Sequence, residues 1–250
     1  MAVITEQGYY GTPPIVTSGL VLCLDAANKL SYPGTGTVWK DLSGNSNTGT
    51  LTNGPTFSAG NLGSIILDGT NDYVVSTLNQ TPTLDITSTI TLETWIKATA
   101  LVNASNGAGL FSKGFSSDLN SGVYELGLSQ SGGANIPFFR MRISSTTPTY
   151  SPSNILMSVN NIYHLVATYN GSIMRIFING IESGSGNSTS GNIESNTQQL
   201  AIGVRYGTAF SGIGSSYLTG NMYINKIYNR ALNATEVLQN YNAVKSRFGL

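Results

Sequence analysis

Short stretches of alternating apolar and polar residues recur along most of the chain, and turn-forming residues separate them. The segment 161–184 shows this most fully, because two Asn-Gly pairs, at 170–171 and 179–180, each follow such a stretch. Asn-Gly supplies the two positive-φ residues of a type I′ hairpin turn at little steric cost. The segment is therefore predicted to form strand, tight turn, strand and tight turn.

The same alternation appears in many segments from Ser18 onward, at spacings of about 8 to 12 residues. Within the segment 88–98, one face of the predicted strand is apolar and carries Ile90, Leu92 and Ile96. The opposite face carries Glu93, Trp95 and Lys97. Short strands with no helical period between them favour one all-β domain, an antiparallel sandwich, over an alternating α/β fold.

The first eighteen residues depart from the strand pattern. They combine Tyr9 and Tyr10 with Pro13 and Pro14 and show no periodicity. Because proline favours an extended chain and cannot donate to a sheet, we predict that residues 1–18 form an extended N-terminal arm. The sandwich domain is then predicted to span residues 19–250.

The C-terminal segment 233–247 is predicted to form a short helix within this domain. Asn233 followed by Glu236 matches a capping box, and Gly249 is a plausible helix stop. One stripe of the helix is apolar and comprises Val237, Leu238, Tyr241 and Val244. A helix this short is marginal alone, so we expect it to dock on the sandwich or on a neighbour.

Composition excludes several functional classes. Lys plus Arg and Asp plus Glu number 12 each, so no basic surface for nucleic acid is expected. Cys23 is the only cysteine, which excludes an internal disulfide and a cysteine-based zinc site. No signal peptide or membrane-spanning stretch is apparent, so we expect a soluble protein that is neither exported by a standard signal nor inserted into a membrane. The low charge, 10%, suits a protein packed beside copies of itself or other proteins.

His164, the only histidine, lies on a predicted strand. Nucleophilic catalysis would require a carboxylate and a serine or cysteine nearby, but the sequence contains no G-x-S-x-G elbow. We therefore interpret His164 as a structural residue that is hydrogen-bonded within the sandwich.

Glu93, close to Trp95 on the same predicted face, is the candidate for glycoside cleavage. Glycosidases use two carboxyl groups, and the stretch "LETWIK" offers only one. We therefore favour a Glu93 that is satisfied by backbone groups or an arginine.

Two acidic loops contain oxygen ligands that could hold Ca²⁺. Asp68, Asn71 and Asp72 form one group, and Asp118 with Asn120 forms the other. Neither loop has the ligand ladder of an EF-hand, and these residues are also ordinary turn formers, so the turn interpretation is favoured. The sequence therefore assigns no catalytic, cofactor-binding or metal site, and calcium binding by either loop stays open.

Several segments together resemble the concanavalin A-like lectin/glucanase superfamily, in its laminin-G-like (pentraxin-like) branch. These segments are "LDGTNDYVV", "ITLETWIKA", "IYHLVATYNGSIMRIFINGIE" and "IYNRALNATEV". The resemblance implies a jelly-roll sandwich of two antiparallel sheets. Catalytic members carry clustered acids on one strand, which this chain lacks, and Asn225 stands where relatives commonly have an acid.

A narrower resemblance is to virion structural proteins of tailed bacteriophages. The segments that carry it are "IVTSGLVLCLDAANKLSYPGTGTVWKDLSGNSNTGTLTNGPTF" and "NYNAVKSRFGL". This resemblance implies an accessory virion component, a capsid decoration or fibre-type protein. For such a protein we expect other virion proteins and copies of itself as partners, with weak adhesion to host-surface glycans as an additional option.

The sequence thus leads to a non-enzymatic virion protein without cofactors as the first hypothesis. A carbohydrate-binding module with Tyr and Trp side chains on loops is the first alternative. A glycoside hydrolase acting through Glu93 is the second alternative.

Overall fold

The computed structural model describes residues 14–60, 63–76, 82–114, 123–152, 156–196, 198–206 and 212–250. Eighteen strands and one α-helix occur in these ranges. In chain order they are β1 (Leu20–Asp25), β2 (Val38–Trp39), β3 (Gly49–Thr52), β4 (Thr56–Ser58), β5 (Ser64–Asp68), β6 (Tyr73–Ser76), β7 (Ile90–Ala98), β8 (Ala108–Lys113), β9 (Tyr124–Ser131), β10 (Ala134–Met141), β11 (Thr149–Tyr150), β12 (Tyr163–Tyr169), β13 (Ile173–Ile178), β14 (Ile181–Ser188), β15 (Leu200–Ile202), β16 (Val204–Tyr206), β17 (Gly212–Tyr217), β18 (Thr219–Tyr228) and α1 (Ala234–Val244). Short 3₁₀ turns cover Pro82–Leu84 and Lys245–Phe248.

The strands form two eight-stranded antiparallel sheets, which confirms the predicted sandwich. Sheet A has the order β14-β13-β12-β7-β18-β5-β4, and β1 pairs with β18 beside β5. Sheet B has the order β11-β10-β9-β8-β15-β6-β3-β2. A separate two-stranded ribbon, β16-β17, follows β15.

The central strand β7 shows how the sandwich is built. Ile90, Leu92 and Ile96 are fully buried in the core between the sheets, as their alternation predicts. The opposite face of β7 is buried as well, and Glu93 and Trp95 are both 0% exposed. The outer face of sheet A is therefore covered by a further layer.

Helix α1 forms part of that layer and begins as the sequence predicts. The capping box is present: Asn233 Oδ1 accepts from the Glu236 backbone, and the Glu236 carboxylate accepts from the Asn233 backbone. The α-helix ends at Val244, before the predicted end at residue 247, and a 3₁₀ turn over Lys245–Phe248 follows it. Gly249, with a left-handed φ of 72°, ends that turn. Leu238 is 43% exposed, however, and the polar Asn240 is buried. No helix in the described ranges is long and apolar enough to cross a membrane.

Residues 14–18 also contribute to this layer through Ile15 and Val16. Ile15 packs in a cluster with Trp95 and Val244, and it is 4% exposed. The backbone of Val16 donates to Asn240 Oδ1 at 2.7 Å and accepts from the Tyr228 hydroxyl at 3.0 Å. The C-terminal part of the predicted arm thus packs on the domain, whereas Tyr9, Tyr10 and Pro13 lie outside the described residues.

The two predicted hairpin turns differ in the structure. Asn179 and Gly180 have φ values of 51° and 82°, as a type I′ turn requires. At the other pair only Gly171 has a positive φ, and Asn170 instead accepts from the backbone of Ser172 through its side chain. The Asn170-Gly171 pair is therefore part of a longer loop, because the asparagine side chain caps the turn locally.

Candidate functional site

His164 and Glu93 meet in a buried polar cluster between sheet A and α1. Strands β12, β7 and β18 are neighbours, so their registers bring the side chains of these two residues and Lys226 together. Glu93 Oε1 lies 3.1 Å from His164 Nε2 and 3.3 Å from Lys226 Nζ. Asn240 of α1 donates to Glu93 Oε2 at 2.6 Å. The hydrogen bond predicted for His164 is present, but the partners of Glu93 are not backbone groups or an arginine.

The electrostatics of the cluster follow from its burial. Burial raises the pKa of Glu93, but the Lys226 ammonium and the bonds from His164 and Asn240 outweigh it and lower this pKa to about 2. Burial lowers the pKa of His164, although Glu93 partly opposes this. Since Glu93, His164, Lys226 and Asn240 are each 0% exposed, the cluster holds the helix to the sheet and has no access to a substrate.

The His164→Gln variant is expected to show a flatter pH dependence of stability between about pH 7.5 and 5. The folded protein has a lowered His164 pKa, so the unfolded chain binds the extra proton as the pH falls through 6.5. The free energy of unfolding of the wild type therefore decreases as the pH is lowered through this window. Urea unfolding across the window measures the effect, and the difference between the two proteins isolates His164, the only histidine. Parallel pH profiles would contradict the prediction.

The other residues considered from the sequence are engaged in local structure. Asn225 lies buried on β18 and accepts from Thr94 Oγ1 at 2.9 Å. Asp68 accepts from the backbone of Thr70, and Asp72 accepts from the backbone of Asp68, as in an ordinary turn.

Two acidic loops were considered as calcium sites from the sequence. The described residues contain no cluster of three or more His, Cys, Asp or Glu that could hold a metal ion. Asp118 and Asn120 lie outside the described residues.

A groove opens on the outer face of sheet B, on strands β9, β10 and β11. Its volume is about 270 Å³, and β16 and the loop 104–107 close one side. Phe138 and Arg140 of β10 form the floor, because the alternate residues Phe139 and Met141 point into the core. This volume is just below the range of about 300–1,000 Å³ typical of small-molecule pockets, so the groove suits a short segment of a ligand.

A carboxylate and two guanidinium groups organise the groove. Glu125, opposite Arg140 in the β9-β10 register, is 0% exposed. Arg140 donates to Glu125 Oε2, and Arg205 Nε lies 3.4 Å from Glu125 Oε1. Burial raises the pKa of Glu125, and both arginines oppose this rise. Arg205 also donates to the carbonyl of Asn106 at 2.8 Å. These contacts fix the arginines in place before any ligand arrives.

The aromatic floor depends on a glycine in the neighbouring strand. Gly127 pairs with Phe138, and a Cβ at Gly127 would lie 2.5 Å from the Phe138 ring. The ring can therefore lie over β9 only because residue 127 has no side chain. Phe138 is 8% exposed, so it shapes the groove more than it offers a free stacking surface.

This groove was not predicted from the sequence. The available signal was the alternation of Phe138, Arg140 and Arg142, an unusual outward face for a strand. The expectation of tryptophans on loops is wrong, since Trp39 and Trp95 are both 0% exposed.

A second cavity lies beside the N-terminus of α1. It has a volume of about 340 Å³, and its lining includes Arg175, Phe177 and Glu182. Arg175 Nε and Glu182 Oε1 are 3.0 Å apart, so their charges balance. Phe177 is 1% exposed. Because its charges are balanced and its aromatic ring is buried, this cavity offers a ligand fewer binding groups than the groove on sheet B does.

Solved structures share the fold at low sequence identity. Domain 4 of AbnA, an extracellular GH43 arabinanase from Geobacillus stearothermophilus, in complex with arabinotriose, has a TM-score of 0.63 and 16% identity over 90% of this chain and 98% of that one. The binding domain of Paraclostridial mosquitocidal protein 1 has a TM-score of 0.65 and 18% identity over 90% of this chain. The receptor-binding domain of botulinum neurotoxin type G has a TM-score of 0.62 and 18% identity over 90% of this chain.

The extent of these matches differs. This chain spans about half of the two toxin chains, 52% and 51% respectively. No curated protein sequence gives a significant match. The family model of the concanavalin A-like lectin/glucanases superfamily matches residues 68–238, more than half of the sequence. The chain therefore belongs to the concanavalin A-like lectin/glucanases superfamily.

Proposed function

We propose that the protein is a non-catalytic glycan-binding module that acts through the groove on sheet B. The observation that carries this proposal is the convergence of Glu125, Arg140 and Arg205 on a groove that also contains hydroxyl and amide groups. Fixed hydrogen-bonding groups in a shallow groove suit sugar hydroxyls. The arabinotriose bound to the arabinanase domain and the receptor-binding role named for the neurotoxin domain are consistent with this proposal.

The absence of catalysis is part of the same proposal. Glu93, the glycosidase candidate, is fully buried against Lys226 and cannot reach a sugar. Among the described residues that line or underlie the groove, Glu125 is the single carboxylate. Glycoside hydrolysis generally requires a pair of carboxyl groups about 5 to 10 Å apart. These features favour binding over cleavage.

A variant with a filled groove tests the proposal. Ser129 and Thr149 both line the groove, and their joint replacement by leucine narrows it and removes two hydroxyls. Binding to a glycan array, followed by titration calorimetry with the bound saccharide, is expected to show a loss of about tenfold or more in affinity.

The matched control carries leucine at Thr87 and Ser88, which are exposed outside the groove. This control should bind as the wild type does. Equal binding by the filled-groove variant would place the site elsewhere, and a wild-type protein that bound no glycan would end the proposal.

We further propose that this module is an accessory component of a bacteriophage virion. The support is the resemblance of segments 15–57 and 240–250 to phage structural proteins, together with the low charge of the chain. Attachment to the particle is assigned to residues 1–13, and many copies would turn weak glycan binding into avidity.

Deletion of residues 2–13 tests this attachment. The deletion ends before Ile15, because that side chain is buried in the domain. The truncated protein is expected to unfold at the same temperature as the wild type and to be lost from purified particles. Full incorporation would move the attachment to the sandwich or the C-terminal helix, and virions without this chain would contradict the virion role itself.

A further inference from the structure

The charge of the groove on sheet B is unbalanced. Arg140 and Arg205 supply two positive charges, and Glu125 supplies one negative charge, which leaves one positive charge among these three residues. Glu125 is 0% exposed and lies beneath the arginines, so a ligand meets the guanidinium groups first. The local field therefore favours an anionic ligand group.

Arg205 is the more accessible of the two arginines. Its side chain is 19% exposed, against 9% for Arg140. Its Nη1 is anchored on the carbonyl of Asn106, which lies in the loop at the groove edge. An anchored guanidinium loses little conformational freedom when a ligand binds, so its charge is well placed for recognition.

Aromatic stacking contributes little at this site. Phe138 is only 8% exposed. The guanidinium carbons of Arg140 and Arg205 lie 5.6 and 6.0 Å from the centre of its ring. A neutral sugar that depends on a broad aromatic platform would find little surface here. Recognition at this groove must rest on hydrogen bonds and charge.

We infer that the ligand of the groove is a saccharide that carries a carboxylate, with Arg205 as its principal contact. This inference rests on the proposed glycan-binding function. The planar fork of a guanidinium matches the two oxygens of a carboxylate. Within the groove, Arg140 Nε and Nη2 both contact Glu125 Oε2, so a guanidinium already holds a carboxylate there. Arg140 supports the second oxygen or a neighbouring hydroxyl of the sugar.

Matched saccharides that differ only in charge test the inference. Trigalacturonate and its methyl ester form one pair, 3′-sialyllactose and its methyl ester form another, and 3′-sulfolactose provides a sulfate in place of the carboxylate. These probes are added to an array of bacterial polysaccharides, and the full chain is used. The carboxylated members are expected to bind at least about tenfold more tightly than their neutral counterparts, with affinity falling as salt is raised.

Three variants assign the effect to Arg205. Arg205→Gln is expected to remove most of the preference for carboxylated saccharides. Arg205→Lys keeps the positive charge and is expected to retain part of this preference. Arg175→Gln is the control, because Arg175 is also ion-paired and partly exposed but lies at the second cavity. Thermal unfolding shows whether each variant is folded.

The outcomes separate the inference from the function on which it rests. Equal binding of charged and neutral partners would overturn the inference and leave the glycan-binding proposal intact. A preference for the sulfated probe, or an unchanged preference in Arg205→Gln, would also overturn the inference. Failure to bind any saccharide would overturn both.

Discussion

Replacement of Lys226 by methionine is expected to lower the free energy of unfolding by about 3 to 5 kcal/mol. The Lys226 ammonium is the cation of the buried cluster, and it lies 3.3 Å from Glu93. Without it, Glu93 remains in a fully buried site with two neutral donors, His164 and Asn240, and no opposing charge. Urea unfolding at neutral pH, with the slope and midpoint both measured, gives the loss of stability.

Two further variants identify the unpaired charge as the cause. The double variant Glu93→Leu with Lys226→Met removes both charges, so a large part of the lost stability should return. Lys97→Met removes a lysine from a less buried position of the same sheet and is expected to change stability by no more than about 0.5 kcal/mol. If Lys226→Met behaved like Lys97→Met, the cluster would not hold a charged Glu93.

Introduction of aspartate at Ile90 is expected to cost more than about 4 kcal/mol, or to prevent folding altogether. Ile90 is 0% exposed, begins the central strand β7 and lies in the main core between the two sheets. A carboxylate at this position would have to lose its water in apolar surroundings. Circular dichroism melting of purified protein, or the soluble yield when no folded protein is obtained, measures the effect.

The control for Ile90 is Ser88→Asp. Ser88 is exposed and lies two residues before Ile90, outside the strand. Its substitution adds the same charge to the same region of the chain and should leave the melting temperature nearly unchanged. A normal melting temperature for Ile90→Asp would mean that the apolar face of β7 does not face the core.

The fold was predictable because its signals are local. The alternation around Ile90 and Leu92, the turn at Asn179 and Gly180, and the capping box at Asn233 each depend on a few neighbouring residues. The main difference between the predicted and the observed fold concerns the outer face of β7, because alternation alone does not reveal that a helix covers it. Asn240 was missed for the same reason, since its role appears only when Glu93 lies beside it.

The groove was not predictable because it depends on strand register. Glu125 and Arg140 face each other through the β9-β10 pairing, which the sequence does not specify to a single residue. Arg205 joins them from β16, a strand that is distant in the sequence. From the sequence alone Phe138 would be assigned to the core, because the sequence does not show which face of β10 it occupies.

The packing of residues 14–18 fixes the face of the sandwich on which these residues lie. Ile15 and Phe248, near the two ends of the chain, belong to the same cluster on the outer face of sheet A. The groove lies on the outer face of sheet B, across the whole thickness of the core. Ile15 and Phe248 therefore lie on the face of the sandwich opposite the groove. If the groove binds a glycan as proposed, a scaffold that contacts the face formed by Ile15 and Phe248 leaves the groove free to bind.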